Sequence, residues 1–341
     1  MRIALDVMGG DHAPHEIVRG AIDALQLKEL TSVILVGDEV AIRAELLKYP
    51  KADKQRIVIM HAPEVIGMDE SPASAIRKKK LCSINICMEL IKTKQAEAMV
   101  SAGNSGAVAA AALFCLGRTP GVLRPAIATV LPTRQLKRPL LLLDAGANTD
   151  CDETWLAQFA VMGSAYSSAV LKRTDPVVGL LSIGTEDCKG NEMTKKAFHL
   201  IQNTDVVFRG NVEGHDLFLG RTDVVVCDGF VGNVVLKTTE SVAHAMGYWM
   251  KKEFFRHPVR MFGALLLKGA LETLKRRMDP EIYGGAPLLG VPGAVIITHG
   301  SSSHRAIFHA IIAGMAAASN NLSEKIAQKI GAMQPLKEPG V

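Results

Sequence analysis

The sequence predicts an α/β protein of three layers (αβα), in which helices cover both faces of a largely parallel sheet. Short apolar runs alternate with helical patterns along the chain, and this alternation is typical of parallel sheets. The runs hold few polar residues, as strands buried on both faces do. Polar loops that contain glycine follow most of the runs, and ligands of such sheets bind beside the carboxyl ends of the strands. We therefore expect several of these loops to converge on one crevice.

The apolar runs place the strands, and the patterns between them place the helices. Ser71 and Pro72 suit the start of a helix that runs to about Lys92, because serine caps helices and proline fits their first turn. The predicted strands are 3–7, 33–36, 57–60, a run from Ala98, 126–131, 140–144, 177–182, 206–208, 224–227 and 294–298. The other predicted helices end near Leu27, Lys48, Leu116, Leu171 and Ile330.

The length and composition indicate a globular protein with an aliphatic core. Of 341 residues, 48% are hydrophobic, 21% are charged and only 5% are aromatic. Such a chain is long enough for one large domain or two lobes. We predict one catalytic domain over 1–330 with a helical projection at about 250–280, and a flexible tail over 331–341.

The net charge indicates which partners the protein binds, and the cysteines indicate the cellular compartment in which it works. The net charge of +5 favours an acidic partner, such as a phosphorylated ligand, an acidic protein or an anionic membrane. Basic and aromatic residues are not interleaved as in nucleic-acid modules, so no nucleic acid is expected. The six scattered cysteines indicate reduced cytosolic thiols. The N-terminus resembles no signal peptide, and no apolar run reaches the roughly 18 residues of a membrane span.

The segment from Ala98 to Leu116 has the outline of an anion site. A short apolar run leads through Ser-Ala-Gly-Asn-Ser-Gly into an alanine-rich helix. Gly103 and Gly106 permit a tight turn, and Ser105 is expected to cap the helix, whose first N–H groups attract anions. An ordinary turn that binds nothing is an equally good interpretation of this loop alone.

Asparagine, lysine and histidine recur in the other loops at strand ends. Asparagine tolerates tight turns, so each one alone is more simply structural. Together with Lys189, Lys237 and Ser105, however, they can hold a phosphate and a developing oxyanion, as acyl or phosphoryl transfer requires. His12 and His299 lie in similar loops, where an imidazole can act near neutral pH. The asparagines are Asn104, Asn148, Asn191, Asn211 and Asn233.

Several familiar chemistries are excluded by the absence of their motifs. No two glycines stand at i and i+2, so the dinucleotide fingerprint G-x-G-x-x-G is missing. The sequence also lacks a P-loop, a G-x-S-x-G nucleophile elbow and an H-E-x-x-H zinc motif. We predict neither a cofactor nor a metal.

Seven motifs in a fixed order carry a resemblance that extends from Met1 to about Ile330. They are DVMGGDHAP (6–14), SAGNSGA (101–107), LDAGAN (143–148), GTEDCKGNE (184–192), GNVEG (210–214), CDGFVGNVVLK (227–237) and HGSS (299–302). Together they resemble the phosphate acyltransferases of bacterial phospholipid synthesis. The sequence departs from the family in two respects: Ser105 replaces an expected threonine, and Thr185 and Asp187 flank Glu186 where a more acidic glutamate pair is usual.

The resemblance implies transfer of a long acyl chain from acyl carrier protein to inorganic phosphate. The acyl phosphate formed would then serve a membrane glycerol-3-phosphate acyltransferase. The resemblance also implies a homodimer whose fold resembles that of isocitrate and isopropylmalate dehydrogenases, without a nicotinamide. A coenzyme A-dependent phosphotransacylase and a noncatalytic lipid-synthesis scaffold are the alternatives.

On this interpretation phosphate attacks the thioester directly, with a thioester relay through Cys188 or Cys227 as the alternative. The N–H groups of Gly106 and Ala107 would help to hold phosphate or the oxyanion. The predicted catalytic residues are Asn104, Ser105, Lys189 and Asn233. The predicted phosphate- and acyl-substrate-binding residues are Asp6, Gly9, Gly10, His12, Gly103, Gly106, Asp144, Asn148, Asn191, Asp228, Gly229, Lys237 and His299.

Two basic regions are candidates for larger partners. Lys78 and Lys79, with Arg256 and Arg260, are predicted to bind carrier protein, although a charge run is usually only a solvated face. The segment 254–277 mixes apolar and basic residues. It suits either a helical hairpin in a dimer interface or an interfacial helix on anionic lipid, flanked by Lys275, Arg276 and Arg277.

Overall fold

The computed structural model describes residues 1–135, 137–278 and 280–333. The side chains from 275 to 280 are also outside the described part. The basic side chains predicted at 275–277 and most of the predicted tail therefore lie outside the described residues.

Within the described residues, eleven strands form one continuous sheet. Its order is β3-β2-β1-β4-β11-β10-β5-β6-β9-β7-β8. In chain order the strands are β1 (Arg2–Asp6), β2 (Ser32–Gly37), β3 (Ile57–His61), β4 (Ala98–Ser101), β5 (Ala126–Leu131), β6 (Leu140–Leu143), β7 (Val177–Leu181), β8 (Val207–Val212), β9 (Val224–Val226), β10 (Ala286–Leu289) and β11 (Ala294–Ile297).

The sheet reverses direction in its middle. β3, β2, β1, β4 and β11 are mutually parallel, and β6, β9, β7 and β8 are parallel to one another. Between these halves β10 is antiparallel to β11 and to β5, and β5 is antiparallel to β6. The strands of one half therefore end at the edge of the sheet where the strands of the other half begin. The polar loops, several of which we expect to converge on one crevice, therefore divide between the two edges of the sheet.

Helices cover both faces, so the predicted three-layer α/β class is confirmed. The alternation of side chains along β1 shows this, because Leu5 packs in a core with Ile17 and Ile307, whereas Ala4 packs in another with Met88 and Ala111. The helices are α1 (His15–Ala24), α2 (Glu39–Leu46), α3 (Pro72–Lys78), α4 (Ser83–Lys92), α5 (Ser105–Cys115), α6 (Glu153–Ala169), α7 (Glu192–Gln202), α8 (Gly229–Phe254), α9 (Pro258–Leu266), α10 (Lys268–Met278), α11 (His304–Ser319) and α12 (Leu322–Gly331).

The structure corrects several predicted element boundaries. The helix predicted over 72–92 is two helices, α3 and α4, and the last helix divides into α11 and α12 at Asn321, which has a left-handed φ of 48°. Strand β8 extends beyond the predicted 206–208 to Val212, and β10 was not predicted at all.

Helices α8, α9 and α10 form an arm that follows β9. The first turns of α8 pack on the sheet through Leu236, but α9 has no buried residue. Large apolar side chains of the arm are exposed, among them Trp249, Phe262, Leu265 and Leu266. None of the helices in the described ranges combines the length and apolar character needed to cross a membrane.

Candidate active site

A buried carboxylate closes the end of β1 and organises two loops. Asp6 is 1% exposed, and its Oδ2 accepts a hydrogen bond of 2.6 Å from the Ser101 hydroxyl. Ser101 Oγ in turn accepts from the Gly103 N–H at 3.1 Å. Burial raises the pKa of Asp6, and the hydrogen bond from Ser101 opposes the rise. The buried Asp6 carboxylate therefore stabilises the loops 7–10 and 101–103.

Glycines allow three loops to pack together at this edge. A Cβ on Gly9 would lie 2.5 Å from Asp6 Oδ2 and 2.6 Å from the Gly103 nitrogen. Gly10 has a φ of +94°, and a Cβ there would lie 2.7 Å from the Gly300 carbonyl oxygen, which accepts the Asp11 N–H at 2.8 Å. The loops that follow β1, β4 and β11 thus form one unit, the first loop cluster (residues 7–12, 101–106 and 299–303).

Asn104, not Ser105, caps helix α5, so the predicted cap is corrected by one residue. Its Oδ1 accepts the Ala107 N–H at 3.1 Å, and its Nδ2 donates to the carbonyls of Met68 and Glu70 at 3.1 and 3.2 Å. The Ala107 N–H, predicted to hold phosphate or the oxyanion, is therefore engaged by this cap. Ser105 and Gly106 are exposed, and N–H groups in a first helical turn have no intrahelical acceptor.

A second buried carboxylate holds a loop in place at the opposite edge of the sheet, where the strands of the second half end. Asp144, which follows β6, is completely buried. Its oxygens accept N–H groups of Ile127, Ala147 and Asn148 at 2.7–3.0 Å and the Asn148 side-chain amide at 2.9 Å. Burial raises the pKa of Asp144, and these hydrogen bonds oppose the rise. The carboxylate fixes the loop 144–148.

Helix α8 begins directly against that loop. Gly229 donates its N–H to the Asn148 carbonyl at 2.7 Å, and Asp228 caps the helix by accepting the Val231 N–H at 2.8 Å. Asn233 is exposed on the next turn, and its Cβ lies 3.6 Å from the position that a Cβ on Gly146 would take. Residues 144–148 and 228–233 form the second loop cluster.

Helix α8 joins the two clusters. Because it runs back from the carboxyl end of β9, it carries Lys237 toward the opposite edge, where Lys237 Nζ lies 3.4 Å from His299 Nε2. His299 Nδ1 is 2.7 Å from Ser301 Oγ, and Lys237 also pairs with Glu240 at 3.1 Å. The structure therefore brings Lys237 of the second half of the sheet to His299 of the first loop cluster.

Lys189 and Asn191 stand apart from this contact. Both follow β7, which lies beside β9 in the sheet. Asn191 caps α7 by accepting the Thr194 N–H at 2.8 Å, while Lys189 is exposed. Among the described residues no hydrogen bond or ion pair ties the Lys189 side chain to either cluster. His12, in the turn before α1, is exposed as well.

Residues that the sequence did not single out support the first loop cluster. Ser303 donates its hydroxyl to Glu281 Oε2 at 2.8 Å, and Glu16 Oε2 lies 2.9 Å from His304 Nδ1. Ser101, at the end of an apolar run, could have been found by its position. Glu16 and Glu281 belong to no motif, and their roles follow only from tertiary contacts.

Some of the basic residues predicted to bind carrier protein are already engaged in ion pairs. Lys78 is exposed, but the Lys79 ammonium donates to Glu70 Oε1 at 2.6 Å and to the Val65 carbonyl at 2.7 Å. Arg256 and Arg260 are exposed on the arm, and both pair with Glu253.

One group of metal-ligand type stands out among the residues that the structure describes. Ligand atoms of Glu213, His215 and Asp216 all lie within 4.8 Å of one another. The two carboxylates already form a capping box on the short 3-10 helix Gly214–Phe218, which accounts for their positions without an ion.

The three-layer α/β fold is shared with other proteins of solved structure. A phosphotransacetylase from Streptococcus pyogenes is similar to this chain with a TM-score of 0.63, at 19% identity, over 94% of both chains. A putative 4-hydroxythreonine-4-phosphate dehydrogenase from Salmonella typhimurium has a TM-score of 0.54, at 12% identity, over 93% of this chain and 98% of that one. The predicted dehydrogenase-like fold is confirmed.

The particular family follows from sequence. A family model described as fatty acid synthesis protein matches residues 1–325. Phosphate acyltransferases from Desulforamulus reducens (52% identity, 91% of this chain and 92% of the relative) and Pelotomaculum thermopropionicum (49%, 98% and 96%) are similar. The chain belongs to this phosphate acyltransferase family and is an acyltransferase, as its seven motifs predicted.

Proposed function

We propose that the protein transfers a long-chain acyl group from acyl carrier protein to inorganic phosphate, giving acyl phosphate for phospholipid synthesis. The observation that carries this proposal is the contact of Lys237 with His299, a residue of the first loop cluster. The same cluster contains Ser105 and Gly106, which are exposed in the first turn of α5, and a cation added to a cluster with a helix N-terminus suits a phosphate. The family and the net charge of +5 agree with phosphate and an acidic carrier protein as substrates.

The reaction needs positioning more than chemical activation. A phosphate oxygen attacks the thioester carbonyl, the C–O bond forms as the C–S bond breaks, and the carrier thiolate takes up a proton. We assign the holding of phosphate and of the oxyanion to Ser105, Lys189, Asn233 and Lys237, since fixed donors lower such barriers. The Asn104 amide is engaged by carbonyls, so direct contact with phosphate requires it to exchange them.

A covalent relay is less well supported than direct attack. Cys227 is 3% exposed, and burial raises the pKa of its thiol well above the ordinary value, whereas a nucleophilic cysteine needs a thiolate. Cys188 is exposed and is the remaining candidate for a relay.

The carrier protein is proposed to dock beside α3 and α5. Arg77 lies 4.8 Å above the ring of the exposed Phe114, and Lys78 is exposed next to it. This surface joins an apolar contact with positive charge at the C-terminal end of α5. An acidic helix with an apolar stripe would fit it.

The test is release of carrier thiol from palmitoyl-acyl carrier protein, with and without inorganic phosphate, while hydroxylamine traps acyl phosphate. We expect release that depends on phosphate and yields a trapped acyl product. Turnover with a coenzyme A thioester but not with the carrier thioester would instead assign a coenzyme A-dependent phosphotransacylase. No turnover with either donor would favour a noncatalytic scaffold.

We also propose that the arm serves two contacts, a second copy of the chain along α8 and the membrane at α9. On α8 the exposed Val242, Met246 and Trp249 offer an apolar face for a homodimer. On α9 Leu265 and Leu266 are 65% and 72% exposed near Arg256 and Arg260, a combination that binds anionic lipid surfaces. The enzyme would then work in the cytoplasm as a peripheral membrane protein and pass its product to a membrane glycerol-3-phosphate acyltransferase.

Replacing Leu265 and Leu266 with glutamate is expected to lower binding to anionic vesicles by at least about tenfold, because two apolar contacts are lost and two negative charges are added. Sedimentation with phosphatidylglycerol vesicles measures the binding, and turnover of the soluble substrates should persist. The matched control replaces Val40 on α2 and Leu47 directly after α2, which are 76% and 74% exposed. Unchanged vesicle binding of the arm variant would contradict membrane contact at α9.

A further inference from the structure

The loop 183–190 carries a candidate catalytic lysine but has few anchors of its own. Ile183 is 80% exposed, and residues 185–189 are all exposed. The N–H of Lys189 donates to the Glu186 carbonyl at 3.0 Å. A loop with so little buried surface needs polar contacts to hold one conformation.

Asn211 supplies such a contact from beneath the loop. It stands near the end of β8, opposite Leu180 of β7, and is 5% exposed. Its Nδ2 donates to the Glu186 carbonyl at 2.8 Å, the same oxygen that accepts the Lys189 N–H. Asn211 and the backbone of Lys189 are therefore tied to one atom.

The side-chain oxygen of Asn211 lowers the stability of the fold. Within the described residues Asn211 Oδ1 is buried and has no hydrogen-bond partner, a state that costs about 1–3 kcal/mol. The Glu186 carbonyl would keep the Lys189 N–H if Asn211 were apolar. An apolar residue of similar size would thus suit the fold at least as well, which points to a role in function.

We propose that Asn211 is a positioning residue of the phosphate site, which fixes the loop 183–190 and thereby the place of Lys189. The inference rests on the proposed function, in which Lys189 binds phosphate. Asn211 itself does not touch the substrate. Its loss should weaken phosphate binding and leave both the fold and the handling of the acyl donor intact.

The test compares Asn211→Leu, which removes the donor, with Asn211→Asp, which restores it only when protonated. We expect Asn211→Leu to raise the KM for phosphate about tenfold, as loss of one well-placed charged contact does. The KM for acyl carrier protein and the melting temperature should remain near those of the wild type. Thr222→Val is the matched control, because the Thr222 hydroxyl is also buried and has no partner in the part of the chain that the structure describes. Its Cγ2 lies 3.3 Å from the position that a Cβ on Gly179 would take.

The pH profile separates positioning from mere packing. A buried aspartate has a raised pKa, and its protonated O–H can donate to the Glu186 carbonyl. The phosphate KM of Asn211→Asp should therefore recover toward the wild-type value as the pH falls, while that of Asn211→Leu should not. Glu186 and Lys189 on the loop, and Glu213 beyond the end of β8, are the neighbouring charges, so each variant is compared with the wild type at the same pH.

Lys189→Ala distinguishes the role of the lysine from the role of the asparagine. If Lys189→Ala leaves the phosphate KM unchanged, the role proposed for Lys189 fails, and the inference fails with it. If Lys189→Ala raises this KM but Asn211→Leu changes it less than about twofold, the inference alone is overturned. Parallel pH profiles of the two Asn211 variants would overturn the inference as well.

Discussion

Replacing Gly232 with alanine is expected to destabilise the protein by about 3 kcal/mol or more and to reduce activity more than about 100-fold. A Cβ at this position would lie 1.8 Å from the Asp144 carbonyl oxygen and 3.0 Å from Cys227 Sγ. The backbone of the loop 144–148 cannot retreat, because the buried Asp144 carboxylate holds it. The first turn of α8 must therefore move away, and with it Asn233 and Lys237.

The same helix provides the control. Apart from its own stretch of helix, no described residue has an atom within 4 Å of the Cβ position of Gly247, so Gly247→Ala should be neutral or stabilise the helix by up to about 1 kcal/mol. Urea unfolding measures the first effect, and phosphate-dependent thiol release measures the second. If the two alanine variants have similar unfolding midpoints, α8 is not seated on the Asp144 loop as described.

Replacing Asp223 with asparagine is expected to cost about 3 kcal/mol at neutral pH, because it leaves two guanidinium groups beside an uncharged amide. Asp223 is 1% exposed, and Arg138 and Arg173 approach its Oδ1 at 2.8 and 3.7 Å. Its Oδ2 also accepts the Val177 N–H at 3.0 Å. The carboxylate thus ties β7 to the start of β9, at the edge away from the second loop cluster.

The pH dependence of this effect has a defined sign. Burial alone would raise the pKa of Asp223, but the hydrogen bonds and charges of Arg138, Val177 and Arg173 outweigh it and lower the pKa below the ordinary value. A lowered carboxyl pKa gives stability that is complete above about pH 4 and is lost as the pH falls through the folded value. The difference in unfolding free energy between the wild type and Asp223→Asn should therefore stay constant from neutral pH to about pH 4. Below about pH 4 this difference should become smaller.

Urea unfolding across this pH range measures the difference. Asp205→Asn, at an exposed aspartate, should show no such difference at any pH. If the loss of unfolding free energy in Asp223→Asn is as large at the lowest pH as at neutral pH, the ion pair is not its source.

The sequence predicted the strands well where burial alone decides them, and failed where tertiary contacts decide. Strand β10 contains Pro287, and a proline within an apolar run argues against a central strand. Without β10 the reversal of the sheet could not be foreseen. The break between α3 and α4 has no glycine or proline either. It coincides with a bridge between Glu64 and Cys82 that no local pattern indicates.

The site was predictable as a set of loops but not as a geometry. Asparagine and serine are comparable helix caps, so the choice of Asn104 over Ser105 required the structure. Asp6 and Asp144 were recognisable as polar residues at strand ends. That both are buried beneath their loops depends on how those loops fold back. The meeting of Lys237 with His299 depends on the path of α8 across the sheet.

Strand β11 lies between β4 and β10, which has a consequence for the newly made chain. During synthesis the edge of β4, with the buried Met99 and Val100, remains without its partner until Ile297 has been added. At ordinary translation rates that interval lasts roughly 10 to 40 s. An open apolar edge of this kind invites pairing between nascent chains. Yield in the cell should therefore depend on chaperones that shield the growing polypeptide.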